Sequence, residues 1–251
     1  MIQSYKIFLF LAFSLMFLDT RAQEPKGIFG ENSTEFKRQV VGGPVLHTRG
    51  FGLSFAWGKR IDGFHQRMIQ IELVTMKHEK EYRSFNPYYD DSKGYVFGKL
   101  NQMIVLRPTW GVKRQLYDKL RPSGVEVGYS YGIGPSLAFL KPIYLEIGYP
   151  EVPYTYLETE RYNPEEHTID RIYGRSSNLK GIEKMQLIPG LHGKFGMVFE
   201  YADTRDRIKG IEVGATVDAY IKKVPIMAFV PNHSLFFNFY LQLIFGKKYI
   251  Q

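Results

Sequence analysis

The chain has 251 residues, 44% of them hydrophobic and 23% charged, with a formal net charge of +8. That apolar content excludes a disordered chain, and after residue 18 no run approaches the ~20 apolar residues of a spanning helix. Aromatics reach 16%, with 19 Phe and 18 Tyr against 2 Trp, beside 24 Gly and 0 Cys; this balance points to β-structure without disulfide staples.

Residues 1–22 read as a cleaved export signal. Lys6 supplies the charge of a short n-region, and Ile7 to Leu18 is an apolar run of 12 residues. Thr20-Arg21-Ala22 then sets small residues before Gln23. A buried helix or an anchor is the competing reading, but the run is too short to span. No Cys follows, which excludes lipoprotein processing. Without Lys6, Asp19 and Arg21 the chain keeps 31 basic and 24 acidic side chains, net +7. Residues 23–39 are expected to form an N-terminal extension, and 40–251 the folded domain.

From there a period of two dominates. Phe51, Leu53, Phe55 and Trp57 alternate with Gly52, Ser54, Ala56 and Gly58. Ile69, Ile71 and Leu73 alternate with Gln70 and Glu72. Leu100, Ile104 and Leu106 share one face of a strand over Lys99 to Arg107, and Pro108 suggests a bulge or an end. Val125, Val127, Tyr129, Tyr131 and Ile133 alternate with Glu126, Gly128, Ser130 and Gly132. Later come Leu187 to Tyr201, Lys209 to Ile221 and Leu235 to Phe245, where polar positions carry His192, Lys194, Glu200, Glu212, Asp218, Asn238 and Gln242. Such alternation marks strands with one apolar and one polar face.

A soluble sandwich buries its apolar face, whereas a membrane barrel turns it to lipid around a polar interior. The second face decides. Glycines and a few charges suit a narrow lumen better than a solvated surface. Aromatics close the apolar face at Trp57, Tyr131, Tyr149, Tyr201 and Phe245, as interfacial girdles do. The expected fold is therefore all-β: a transmembrane antiparallel up-and-down β-barrel, of 8 strands. Two routes reach that number. The odd phase from Val125 to Tyr149 is either one long strand, with Val40 to His47 as the missing partner, or two strands turning near Gly134-Pro135 or Lys141-Pro142. Tight connections fall at Ile61-Asp62-Gly63 and Asp203 to Arg207, and long ones at Tyr82 to Tyr95, 152–186 and Val224 to Ser234.

The export signal, the Gly-rich strands and a last strand ending LIFGKKYIQ resemble outer-membrane β-barrel proteins of the Bacteroidota. The segments His47-Thr-Arg-Gly-Phe-Gly52, Val74-Thr-Met-Lys-His78, Val105-Leu-Arg-Pro-Thr-Trp110 and Leu140-Lys-Pro-Ile-Tyr144 are similar to a largely uncharacterised family of that phylum. The resemblance implies the cell outer membrane of a Gram-negative bacterium and supplies no catalytic residues. Some barrels of that phylum serve as accessory subunits of secretion or assembly complexes, an analogy of fold only.

Four sets of residues carry possible chemistry. Glu72, Arg107, Glu126, Lys194, Glu200, Glu212 and Asp218 would form a lumen charge network, either an ion path or a paired filling. Eight strands leave little more than side-chain space, which favours the filling. In the long loop, Tyr162, Glu165, Glu166, His167, Asp170, Arg171 and Tyr173 form a candidate partner-docking surface. A metal site at Glu165, Glu166, His167 and Asp170 matches no known spacing. His192 with Glu200 or Asp218 is the nearest approach to a hydrolase, without a G-x-S-x-G motif to support it. Lys222-Lys223 and Lys247-Lys248 are expected at strand ends against anionic lipid. The expected function is a non-enzymatic structural or accessory subunit with no cofactor, no metal and no nucleic acid. Its partners would be outer-membrane lipid and another outer-membrane or periplasmic protein. A small, porin-like diffusion pore and a lipid-modifying enzyme are the alternatives.

Overall fold

A computed structural model describes residues 37–117, 124–150, 152–201 and 207–250. The expected leader and most of the expected extension lie outside these residues. In chain order the strands are β1 (Arg38–His47), β2 (Gly50–Arg60), β3 (His65–Met76), β4 (Asn101–Tyr117), β5 (Glu126–Pro142), β6 (Tyr144–Tyr149), β7 (Tyr156–Arg161), β8 (Ile172–Arg175), β9 (Gln186–Glu200), β10 (Arg207–Tyr220) and β11 (Leu235–Tyr249).

Eight of them close into an antiparallel barrel in the order β1-β11-β10-β9-β5-β4-β3-β2. The seam joins β1 to β11, with Val40 opposite Lys247 and Leu46 opposite Leu241. Closure leaves no barrel edge, so every strand has a ladder on both sides. The shortest barrel strand has 10 residues and the longest 17, enough to cross a bilayer at the usual tilt. The large apolar side chains point outward: Leu53 and Ile133 are each 66% exposed, and Phe195, Phe237 and Phe239 are exposed beside them. A soluble protein does not expose a continuous band of this kind, whereas lipid solvates it. The barrel is transmembrane.

Both ends of the barrel sequence, Arg38 and Tyr249, lie at the end that carries the short connections, here the lower end. The long connections, 77–100, 143–185 and 221–234, lie at the upper end, where Thr48-Arg49 makes the one tight turn.

The one-strand route to eight is the observed one, with a change. β5 leaves the barrel at Pro142, and β6 continues the same alternation in a separate sheet of order β7-β6-β8. Alternation reports that a strand has two different faces, but not which sheet it belongs to. Tyr149 therefore belongs to this outer sheet and not to the barrel girdle. Leu145, Ile147, Tyr162 and Ile172 form the core of the outer sheet, together with Tyr95 from the β3–β4 connection.

Pro108 also departs from expectation. β4 runs through it to Tyr117, and the register with β5 is the same at Leu106–Leu137 and at Trp110–Ile133. That register sets Pro108 opposite Pro135, two residues without N–H donors, and the backbones close up where Gly134 lies against the Pro108 carbonyl. The irregularity falls instead between Gln115 and Tyr117.

Candidate functional site

The inward face of the strands fills the lumen in layers. At the upper mouth lies an apolar layer built from Val74, Met76, Met103, Val105 and Leu140. The β10–β11 connection folds into it and buries Val224, Ile226 and Met227. Its backbone is satisfied there. The Ile226 carbonyl accepts from the Leu100 and Asn101 amides, at 2.9 and 3.2 Å, and the Ala228 amide donates to the Gly98 carbonyl at 2.7 Å. Asn232 clips the loop, accepting from the amides of Ile226 and Met227 and donating to the Met227 carbonyl at 2.9 Å. The connection is a plug.

Below the plug lies a charged layer. Arg107 donates from Nε and Nη2 to the two oxygens of Asp218, at 3.0 and 2.6 Å, and its Nη1 stands 3.5 Å from Glu72. Asp218 also accepts from His192 Nδ1 at 2.9 Å and from Ser136 Oγ at 3.0 Å. Lys194 Nζ donates to Glu72 at 2.9 Å and Gln242 at 3.0 Å, lies 3.4 Å from Glu212, and sits 4.6 Å from the Tyr240 ring centroid. Tyr240 and Ser130 hydroxyls both donate to Glu212, at 2.6 and 2.7 Å. Three carboxylates here face two fixed cations, and the ring N–H of His192 serves the carboxylate shared with Arg107. Charges buried this far from water are tolerated because each carries several partners.

A small apolar layer follows, of Val41, Ala56, Val198, Ile208 and Ile244. Beside it is a cavity of about 50 Å³, bordered by Met68, Gln70, Lys194 and Glu212 among others. It is room for a few waters at most. At the lower end Lys113 Nζ donates to Glu126 at 3.2 Å and Glu200 at 3.3 Å, and Lys248 Nζ donates to Glu200 at 2.6 Å.

The seven expected lumen charges thus all lie inside, but in two groups: Glu72, Arg107, Lys194, Glu212 and Asp218 in the middle, Glu126 and Glu200 below. Lys113 lies beyond Pro108, where a bulge or an end was expected; β4 continues and keeps it in phase with Arg107. Lys248 was expected at lipid, yet it turns inward to Glu200 while Lys247 stays outside. His192 meets Asp218 and not Glu200, and Ser136 bonds the same carboxylate rather than the imidazole. No nucleophile–base pair forms there, and neither His192 nor Ser136 is open to a substrate.

In the 152–186 segment the expected docking residues divide. Tyr162 and His167 are buried, the latter with Nε2 3.2 Å from Glu160, so they hold the outer sheet together and present no surface. Glu165, Glu166 and Asp170 are exposed; Arg171 and Tyr173 are half-buried. Tyr173 packs with Tyr89 and Tyr154, and the Tyr154 hydroxyl donates to the Asp170 carbonyl at 2.5 Å. Among the described residues no three metal-ligating side chains converge.

A closed antiparallel barrel with a lipid-facing wall and a packed interior defines an eight-stranded transmembrane β-barrel. No protein-family model matches the chain, and no curated protein matches it. Solved structures similar to it include Neisserial surface protein A, at 12% identity and a TM-score of 0.39 over 87% of this chain and 100% of that one. Another is the outer membrane protein OprG from Pseudomonas aeruginosa, at 12% identity and a TM-score of 0.36 over 87% and 99%. Similarity at this level transfers neither residues nor function.

Proposed function

We propose that the chain is a non-conducting, non-enzymatic barrel of the outer membrane of a Gram-negative bacterium. It acts as a structural or accessory subunit of an outer-membrane complex of the secretion or assembly type. The outward apolar wall, the short lower connections and the long upper ones speak for that membrane and for an upper end facing outside. The resemblance to Bacteroidota barrels agrees with this source.

The observation that carries the reading is the filled lumen. A plug with satisfied backbone, two layers of paired charge and a cavity of about 50 Å³ favour a packed interior over a diffusion path. The outer sheet of β6, β7 and β8, with a core of its own, is then the surface left for work. Its exposed Glu165, Glu166 and Asp170 supply an acidic face for a partner that carries basic groups at the same height above the membrane. Affinity purification after mild cross-linking in native outer membranes is expected to recover a stoichiometric partner. Glu165→Lys with Glu166→Lys and Asp170→Lys should release it while the barrel still inserts. Recovery of a lone monomer from cross-linked membranes would overturn the reading. A steady conductance of the full chain in planar bilayers would replace it with a pore.

A further inference from the structure

We infer that the lower rim of the barrel is a binding belt for the phosphate headgroups of anionic phospholipids in the inner leaflet of its membrane. The inference rests on the membrane-spanning geometry and is independent of the accessory role.

Seven cations share the outward face at this end: Arg38, Lys59, Arg67, Arg114, Arg207, Lys209 and Lys247, all exposed. The strand register sets several of them side by side. Arg38 stands opposite Lys59 and Lys59 opposite Arg67, so three like charges follow one another across β1, β2 and β3. On the other side of the seam Lys247 stands opposite Arg207, with Lys209 two residues further along β10. Directly opposed side chains lie about 5 Å apart at Cβ, and like charges at that spacing repel.

At the upper end two cations have carboxylate partners, Arg49 with Glu79 and Lys99 with Glu81, and at the lower end the inward Lys248 has Glu200. The outward cations of the lower rim differ. None of Arg38, Lys59, Arg67, Arg207, Lys209 and Lys247 has an ion pair among the described residues. Among the described residues this repelling row has no carboxylate counter-charge, and anionic headgroups outside the chain would supply one.

The depth of the row identifies the source. Trp57 lies two residues above Lys59, Ile69 two above Arg67 and Phe245 two above Lys247, all outward and exposed. The cations therefore sit just beyond the last apolar and aromatic side chains, at the level of headgroup phosphates. A soluble acidic partner would have to work at that depth against the lipid wall. At the upper ends the same face carries Leu46, Phe51, Thr75, Ile221 and Leu235, with Lys77 and Lys223 two residues beyond Thr75 and Ile221, so the lower end carries the longer row of cations.

The full chain can be inserted into phosphatidylcholine vesicles containing a minority of phosphatidylglycerol, extracted in mild detergent, and its retained lipid measured by native mass spectrometry. Phosphatidylglycerol is expected to be enriched about fivefold or more over the bulk at low salt, with the enrichment falling as salt rises. Arg38→Gln with Lys59→Gln and Arg67→Gln should return the ratio to bulk. The same loss of charge at the upper end, Lys77→Gln with Lys222→Gln and Lys223→Gln, should leave it unchanged. Bulk lipid ratios on the unaltered chain, or equal losses in both triple variants, would overturn the belt. A stronger preference for lipid A than for phosphatidylglycerol would overturn the leaflet assignment. Insertion is scored separately by heat-modifiable migration on gels. An inserted barrel without selectivity refutes the belt alone, whereas a chain that never inserts refutes the membrane geometry beneath it.

Discussion

Arg107 and Asp218 meet no solvent, and their two parallel hydrogen bonds make each the other's replacement for water. Removing one leaves a buried charge uncompensated. Arg107→Met is expected to destabilise the barrel by about 3–5 kcal/mol, read as the shift in urea midpoint of the heat-modifiable band. The double variant with Asp218→Leu should recover much of that loss; a double variant as unstable as the single would show that the pair does not account for it. Gly196 makes room for a neighbouring contact: a Cβ there would stand 2.2 Å from Tyr240 Oη. Gly196→Ala should therefore push Tyr240 off Glu212, at about 1–3 kcal/mol for an overpacked interior. Outside the membrane, burial pushes the Tyr95 phenol up to about 12, with nearby Tyr154, Tyr162 and Asp170 adding to it. The raised value means that the fold favours the neutral phenol. Its contribution is complete below the ordinary tyrosine range near 10 and is lost as pH rises from there towards about 12. Alkaline titration followed by tyrosinate absorbance should show a late class of tyrosine, and the outer sheet should become protease-sensitive in the same window. The side-chain identities were legible in the sequence at this scale wherever the strand phase was known. Lys113 lay beyond the strand read as far as Arg107, and Lys248 was grouped with Lys247 at the lipid although the alternation of its own strand turns it inward.

The elements were legible as alternation, and the ladder of β2, β3, β9, β10 and β11 followed from it. What alternation could not report was membership. β5 and β6 keep one phase across Lys141-Pro142-Ile143, yet they belong to different sheets, since Pro142 ends the barrel ladder and the Ile143 amide turns to the Leu100 carbonyl at 3.0 Å. The plug had a signal that went unread. Val224 to Val230 is a connection in which Val, Ile, Met, Ala and Phe predominate, far too apolar for a solvated loop. Because the outer sheet has its own core, damage to it should stay local. Ile147→Asp, at a side chain with no exposed surface, is expected to leave heat-modifiable migration intact while opening residues 152–186 to protease. Loss of the barrel band would show instead that the two cores are one cooperative unit.

At the scale of the whole molecule the lumen is filled at two levels, by the plug and by the charged layer beneath it. Replacing Val224 to Val230 by a short Gly-Ser turn should therefore leave planar bilayers silent, because Arg107, Glu72 and Lys194 still span the interior. Conductance from that variant would assign the seal to the plug alone. The seam adds a kinetic consequence. β1 and β11 come from opposite ends of the folded domain, separated by on the order of 200 residues. The plug immediately precedes β11 in the chain, so the strand that closes the cylinder brings the stopper with it. Before that event the chain has two bare strand edges and an unfilled mouth, a form prone to mispairing. Afterwards, escape requires the seam to part while the apolar layer is uncorked, two barriers met together. Slow, late closure and a long native lifetime are thus written into the order in which the last hairpin is laid down.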